Sequence, residues 1–166
     1  MKEILLSRGK VALVDDEDFE WLNQWKWSLS QLGTNRKYRS IYYAHRTQWY
    51  KNGVQRDISM HRLILDAPKG LEVDHIDGNG LNNQRSNLRL CTRTQNARNA
   101  RRRKNGSSRF KGVCKTREGR WNARIYANGK RANLGVFKNE ADAARAYDAA
   151  AAEAFGEFAR LNSDSN

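Results

Sequence analysis

Residues 71–99, LEVDHIDGNGLNNQRSNLRLCTRTQNARN, restrict the possible folds of this chain more than any other stretch. Residues 71–75 read as a short strand and residues 87–91 as a second one. Between them, residues 76–83 (IDGNGLNN) are dense in Gly and Asn, which tolerate tight turns and bond their own backbone. Thr92, with Gln95 three residues on, makes a capping-box pattern, so the spacing predicts a helix over TRTQNARNARRRK. Strand, loop, strand and helix follow one another without a long connection.

The same window collects Asp74, His75, Asn82, Asn83, Asn87, Asn96 and Asn99. These are metal-ligand and proton-transfer residue types. Phosphodiester hydrolysis needs a nucleophilic water, charge stabilisation on the phosphorus oxygens and help for the leaving oxygen. A hard divalent ion supplies the last two and prefers oxygen ligands. Asp74 and Asn96 are oxygen donors, and Asn96 and Asn99 share a helix face at i and i+3. His75 is a base near neutral pH, with an unperturbed pKa of about 6.5. Strand neighbours point to opposite faces. Asp74 and His75 therefore serve one phosphate only if the backbone bends, or if metal and water lie on either side of the chain end. Asn82 and Asn83 read as structural, fixing the loop through backbone bonds.

Upstream, residues 2–14 alternate around Ser7-Arg8-Gly9-Lys10 and predict a β-hairpin. The acids Asp15 to Asp18 suit a helix N-terminus, and Phe19, Leu22 and Trp25 fall at helical spacing. The tryptophans of WLNQWKW read as core. Residues 31–37 read as a polar turn and residues 38–46 as an aromatic strand. Asn52-Gly53 marks a second hairpin that continues through residues 54–60. His45 and His61 have no carboxylate or Asn constellation beside them and read as structural or phosphate-facing.

Downstream, residues 104–108 form a polar Gly/Ser stretch after a basic run, and a module boundary falls there. Strands are expected over residues 110–115, 121–127 and 131–137, followed by a helix from Glu140 to about Phe155. Asn139 suits its N-cap and Gly156 its stop. Its alanine stripe lets it lie close on a small sheet.

The net charge of +13, from 31 basic against 18 acidic residues, calls for a polyanionic partner. Two distant cysteines, Cys91 and Cys114, and three histidines do not supply a structural zinc site, so no zinc is expected. Both cysteines read as reduced, which suits the cytoplasm. No apolar run approaches a membrane span and no signal-peptide core opens the chain, so no membrane contact is expected.

Val73 to Asn79, Asn82-Asn83, Ser86-Asn87-Leu88-Arg89 and Gln95 to Asn99 together resemble the HNH endonucleases of phage and intron origin. The resemblance implies a ββα-metal site of two short strands, a loop and a helix around one ion. By position it implies His75 as the general base, Asp74 and Asn96 as ligands of a single ion, and Asn87 as orienting His75 or polarising the scissile phosphate. The ion would be magnesium, with manganese as an alternative. Asn96 stands where the family name has its last histidine, as in the intron-encoded branch.

Phe110 to Val113, Gly119-Arg120-Trp121, Leu134-Gly135, Phe137, Ala146 to Ala150 and Phe155-Gly156 resemble the apetala-type, or ethylene-response-factor, DNA-binding domain. That family implies a three-stranded sheet in the major groove with a helix behind it. Arg109, Lys111, Lys115, Arg117, Arg120, Arg124, Lys130 and Arg131 lie on the expected strands and turns. Trp121 would pack against sugar or base, or anchor the sheet. Cys114 and Tyr126 stand where the plant domains have arginines, so their recognition sequence does not transfer. Arg98, Arg101, Arg102, Arg103 and Lys104 extend the basic surface toward phosphate.

The expected architecture is α+β. A β-rich N-terminal module spans residues 1–69, a ββα-metal nuclease motif 70–104, a linker 105–108, and a three-stranded antiparallel sheet packed on one helix 109–166. The expected function is a site-specific, homing-type DNA endonuclease acting on double-stranded DNA as a monomer, without a small-molecule cofactor, in the (host) cytoplasm. The alternatives are a DNA-binding regulator with an inactive nuclease motif and, more remotely, an RNA-binding accessory protein.

Overall fold

The computed structural model describes residues 1–32, 41–102 and 106–163. Contacts divide the chain into two units, Met1–Asn96 and Ala97–Asn166, each taken by itself below.

In the first unit, β1 (Lys2–Leu5) and β2 (Val11–Val14) form the expected hairpin. Arg8 and Gly9 turn it with φ of 63° and 68°. Helix α1 (Asp16–Leu22) follows, with three acids in its first turn, where they face unpaired N–H groups. Trp25 lies beyond its end. Strand β3 (Ser28–Leu32) occupies part of the stretch expected as a turn, because it pairs antiparallel with β4 (Ile41–Trp49). Strand β5 (Gln55–Ser59) closes the second hairpin across Gly53, whose φ is 76°. A short helix α2 (Met60–Ile64) replaces the unassigned stretch after it.

Strands β6 (Glu72–His75) and β7 (Leu88–Cys91) pair antiparallel, and α3 (Arg93–Asn99) follows, capped as Thr92 and Gln95 predict. Gln95 Oε1 accepts the Thr92 N–H at 2.8 Å, and Thr92 Oγ1 accepts the Gln95 N–H at 3.3 Å. The helix is shorter than expected and stops at Asn99. Like charges at Arg101 and Arg102, beyond its end, disfavour another turn.

Val73 and Leu88 belong to the same buried cluster as Ile4, Val14, Leu22, Trp27, Ala44 and Met60. The nuclease window and the β-rich segment before it thus share one core, and no packing boundary falls at residues 69–70. The lower edge of that unit lies inside α3 rather than at 105–108.

In the second unit, β8 (Val113–Lys115), β9 (Trp121–Ala127) and β10 (Lys130–Phe137) form a sheet in the order β10-β9-β8, with α4 (Glu140–Phe155) against it. Asn128 and Gly129, at φ 51° and 75°, make the tight turn that Asn-Gly favours. Ala143, Ala144, Tyr147, Ala151 and Phe155 form the buried face of α4. A Cβ on Gly112 would sit 1.9 Å from the Tyr147 ring, so the alanine-lined helix packs directly on backbone there. Among the described residues, no helix is long and apolar enough to cross a membrane.

Candidate active site

Alternation along β6 places Glu72 and Asp74 on one face and Val73 and His75 on the other. The register sets Asp74 opposite Arg89. Arg89 donates from Nε and Nη2 to Asp74 Oδ2 at 2.9 and 2.7 Å. Asp74 is buried, and a buried carboxylate needs such a partner. Asn96, on α3, donates from Nδ2 to Glu72 Oε2 at 2.7 Å, which turns it toward the Asp74 side of the strand.

The two expected metal ligands therefore share one side of β6. Among the described residues, no group of three or more His, Cys, Asp or Glu side chains could enclose a metal. A magnesium-type ion does not need such a cage, since it keeps several waters and binds through one or two carboxylates plus substrate phosphate. A carboxylate and an amide oxygen fit that donor chemistry, provided the ion shares Asp74 with Arg89. Cys91, opposite Glu72, is buried, and burial with the nearby Asp74 and Glu72 charges pushes its thiol up to about 11.

His75 faces the other way. Its Nε2 lies 3.2 Å from Asn83 Oδ1. Asn83 Nδ2 donates to the Leu81 carbonyl, which fixes the amide so that Oδ1 points at the ring. An amide oxygen only accepts, so Nε2 carries the proton and Nδ1 is the lone-pair nitrogen. Burial holds the imidazole below its usual pKa, against the Asn83 bond and the Asp77 and Asp74 charges, so the ring is neutral at pH 7.

Asn83 is fully buried and belongs to the site rather than only to the loop. Strand β2 holds it there: the Asn83 N–H donates to the Leu13 carbonyl and the Leu13 N–H to the Leu81 carbonyl, both at 2.8 Å. The next two residues are held from α1. Asp15 accepts from the Arg85 N–H at 2.7 Å and from Gln84 Nε2 at 3.2 Å. Arg85 reaches Asp18 with Nε and Nη2, each at 2.8 Å, and Asp18 is buried under Trp21 Nε1. The acidic start of α1 is thus an anchor for the catalytic loop.

The Asn87 side chain bonds to the turn after His75. Its Oδ1 accepts the Asp77 N–H at 3.0 Å, and its Nδ2 donates to Asp77 Oδ1 and the Asn82 carbonyl at 3.0 and 2.8 Å. The bond to the ring comes from Asn83, and Asn87 braces the turn after His75. Nothing in the sequence distinguishes these two asparagines.

Tyr43 from β4 and His61 from α2 complete the pocket around His75, with ring centroids 5.7 and 5.1 Å from it. His61 Nδ1 is buried without a hydrogen-bond partner. Burial, with His75 and Arg62 nearby, lowers His61 to about 3. Below pH 6.5 the unfolded chain takes up a proton that folded His61 refuses until about pH 3. Its contribution therefore destabilises the fold progressively as pH falls below 6.5, by about 2 kcal/mol at pH 5. His61→Phe keeps an aromatic ring against Tyr43 and His75 and removes the proton site. Urea unfolding at pH 7 and pH 5 should show a smaller acid loss in this variant than in wild type; an equal loss would rule out His61 as the source.

The expected DNA-contact residues divide. Arg109, Lys115, Arg117, Arg120, Arg124, Lys130 and Arg131 are exposed. Alternation along β9 turns Ala123 and Ile125 inward and Arg124 and Tyr126 outward, and Tyr126 pairs with Arg131. Lys111 instead turns inward, its Nζ on the Arg98 carbonyl, and burial lowers it to about 8. Its backbone is tied through Asn162 to Asp148. Arg98 stacks over Phe155 at 4.8 Å. Trp121 is half-buried against the sheet core with Lys115 over its ring, which is the anchoring arrangement. Arg101 and Arg102 are exposed beyond α3, and Arg103 and Lys104 lie outside the described residues.

A family model described as HNH endonuclease matches residues 66–98, the span that contains β6, the catalytic loop, β7 and most of α3. An uncharacterized HNH endonuclease of Acanthamoeba polyphaga mimivirus is 36% identical over 162 residues, covering 95% of this chain and 79% of the relative. Protein 3.8 of Escherichia phage T7 is 40% identical over 68 residues, covering 40% of this chain and 56% of the relative. An AP2/ERF and B3 domain-containing protein of Oryza sativa subsp. japonica is 50% identical over 56 residues, covering 34% of this chain and 15% of the relative. With 95% of this chain matched to one relative and the family model lying on the strand, loop and helix that carry Asp74, His75 and Asn96, the chain belongs to the HNH endonuclease family.

Proposed function

We propose that the protein is a site-specific DNA endonuclease of homing type that nicks duplex DNA with one divalent ion, magnesium or manganese, and His75 as the base. One observation carries this reading: His75, kept neutral by burial and oriented by Asn83, stands at the end of the strand whose other face carries Asp74. His75 Nδ1 takes the proton of the attacking water. Asn83 keeps Nε2–H engaged so that the ring neither flips nor changes tautomer. Asp74 and the Asn96 amide oxygen would hold the ion. When bound, the ion supplies charge stabilisation at the phosphate oxygens and the leaving oxygen. Arg89 keeps the Asp74 carboxylate in place, and Asn87 holds the turn that follows His75.

The second unit acts as a DNA anchor of the apetala type, through the outward face of its sheet. Arg124, Arg131 and Arg120 supply phosphate contact there and Lys115 does so from the sheet edge beside Trp121, while Glu140, Asp142 and Asp148 sit on the helix side. One catalytic loop per chain suits one cut per encounter, so a monomer nicks, leaving 5′-phosphate and 3′-hydroxyl ends.

Supercoiled plasmid incubated with the protein should convert to the open-circular form with magnesium and remain supercoiled with EDTA. A plasmid that is bound but left intact in magnesium and manganese would instead favour a DNA-binding regulator.

A further inference from the structure

We infer that the β4–β5 hairpin is a second DNA-contact element, in which Trp49 and Tyr50 at its tip pack against the sugar edges of duplex DNA roughly six base pairs from the cut. This rests on the endonuclease reading above. Strand β4 has two faces. One carries Ala44, fully buried, and Arg46, stacked 4.3 Å over Trp25, and belongs to the core. The other carries Tyr43, His45, Thr47 and Trp49 in succession. Tyr43 is against His75, so this face leads outward from the catalytic base.

Trp49 lies six residues beyond Tyr43, or roughly 20 Å at strand spacing, which corresponds to about six base pairs of duplex. It is 70% exposed, the largest exposure of any aromatic among the described residues. Tyr50 and Val54 beside it are also exposed.

The tip is ordered for contact. The Tyr50 N–H donates to the Val54 carbonyl and the Gly53 N–H to the Tyr50 carbonyl, both at 2.9 Å, and Asn52 Oδ1 caps the Val54 N–H. Arg56 stacks on Tyr50 with its guanidinium 5.5 Å from the ring centroid. The charged residues at the tip are Lys51 and Arg56, and the nearest acid, Asp57, is engaged by Thr47. An exposed aromatic pair among cations suits a partner that is polyanionic and offers apolar surface between its phosphates, as the deoxyribose edges of duplex DNA do. A second copy of a chain with net charge +13 would meet the same positive tip.

The test compares full-length wild type, Trp49→Ala and Trp49→Phe. Fluorescence anisotropy in EDTA reads affinity for a short duplex, and hydroxyl-radical footprinting reads protection around the mapped nick. Trp49→Ala should bind about tenfold more weakly and lose protection on one side of the nick. Trp49→Phe should recover most of both, and single-turnover nicking at saturating protein should match wild type. Wild-type affinity and footprint in Trp49→Ala would overturn the inference while leaving the endonuclease standing. So would a change confined to self-association in sedimentation. A wild-type protein that neither binds nor nicks duplex DNA would overturn the endonuclease itself.

Discussion

His75→Ala is expected to slow plasmid nicking by about 10²- to 10⁴-fold, the range a general base contributes, while leaving affinity for duplex DNA unchanged. The imidazole is buried and neutral, and it packs with Tyr43, His61 and Asn83. Asn83→Ala should fall between wild type and His75→Ala, by about 10- to 100-fold, because it removes the partner that fixes ring and tautomer but leaves the base present. The pair of variants separates a base from a loop residue. Single-turnover rates with saturating protein give the comparison directly. Nicking in His75→Ala at the wild-type rate would remove the base assignment. An Asn83→Ala enzyme that nicks normally would leave His75 as base but oriented by something else.

Much of this arrangement was legible in the sequence where a local signal existed. The capping pair Thr92 and Gln95 placed the start of α3, and Asn128-Gly129 placed the β9–β10 turn, because each depends only on neighbours in the chain. Asp74 and His75 were assigned to opposite faces by strand alternation, and the register with Arg89 and Leu88 agrees. What the sequence did not show is carried by distant partners. Arg85 meets Asp18 from 67 residues away, and Asn83 is set by the backbone of Leu13. Within an irregular loop no period tells which asparagine faces inward, so the bond from Asn83 to the His75 ring was not legible. Strand β3 has no strand-like composition; it exists because β4 pairs with it. Lys111 looked like the other basic residues near the strands, yet Gly112 beside it lies under Tyr147, and that close approach draws the lysine inward.

Gly80→Ala should damage the enzyme through the same distant packing. Gly80 is buried in the catalytic loop, and a Cβ there would lie 2.3 Å from the Tyr42 carbonyl oxygen and 2.7 Å from the Tyr43 ring. The oxygen belongs to β4, the central strand of its sheet, and Tyr42 is paired with Gln31 on β3, so it has little room to retreat. The loop must move instead. Three residues on, Asn83 holds His75, and Tyr43 is the ring packed against that imidazole, so one displacement disturbs both supports of the base. Overpacking of this kind costs about 1–3 kcal/mol of stability, and a shift of about 1 Å at the reacting group costs about 10²-fold in rate. Gly70→Ala provides the comparison: its φ of 96° strains any side chain, but a Cβ there meets nothing within 4 Å. It should lose stability of similar size and keep its rate. Urea unfolding and single-turnover nicking on both variants distinguish a strained fold from a displaced base. If Gly80→Ala nicks as fast as Gly70→Ala, close packing of the loop on β4 is not what positions His75.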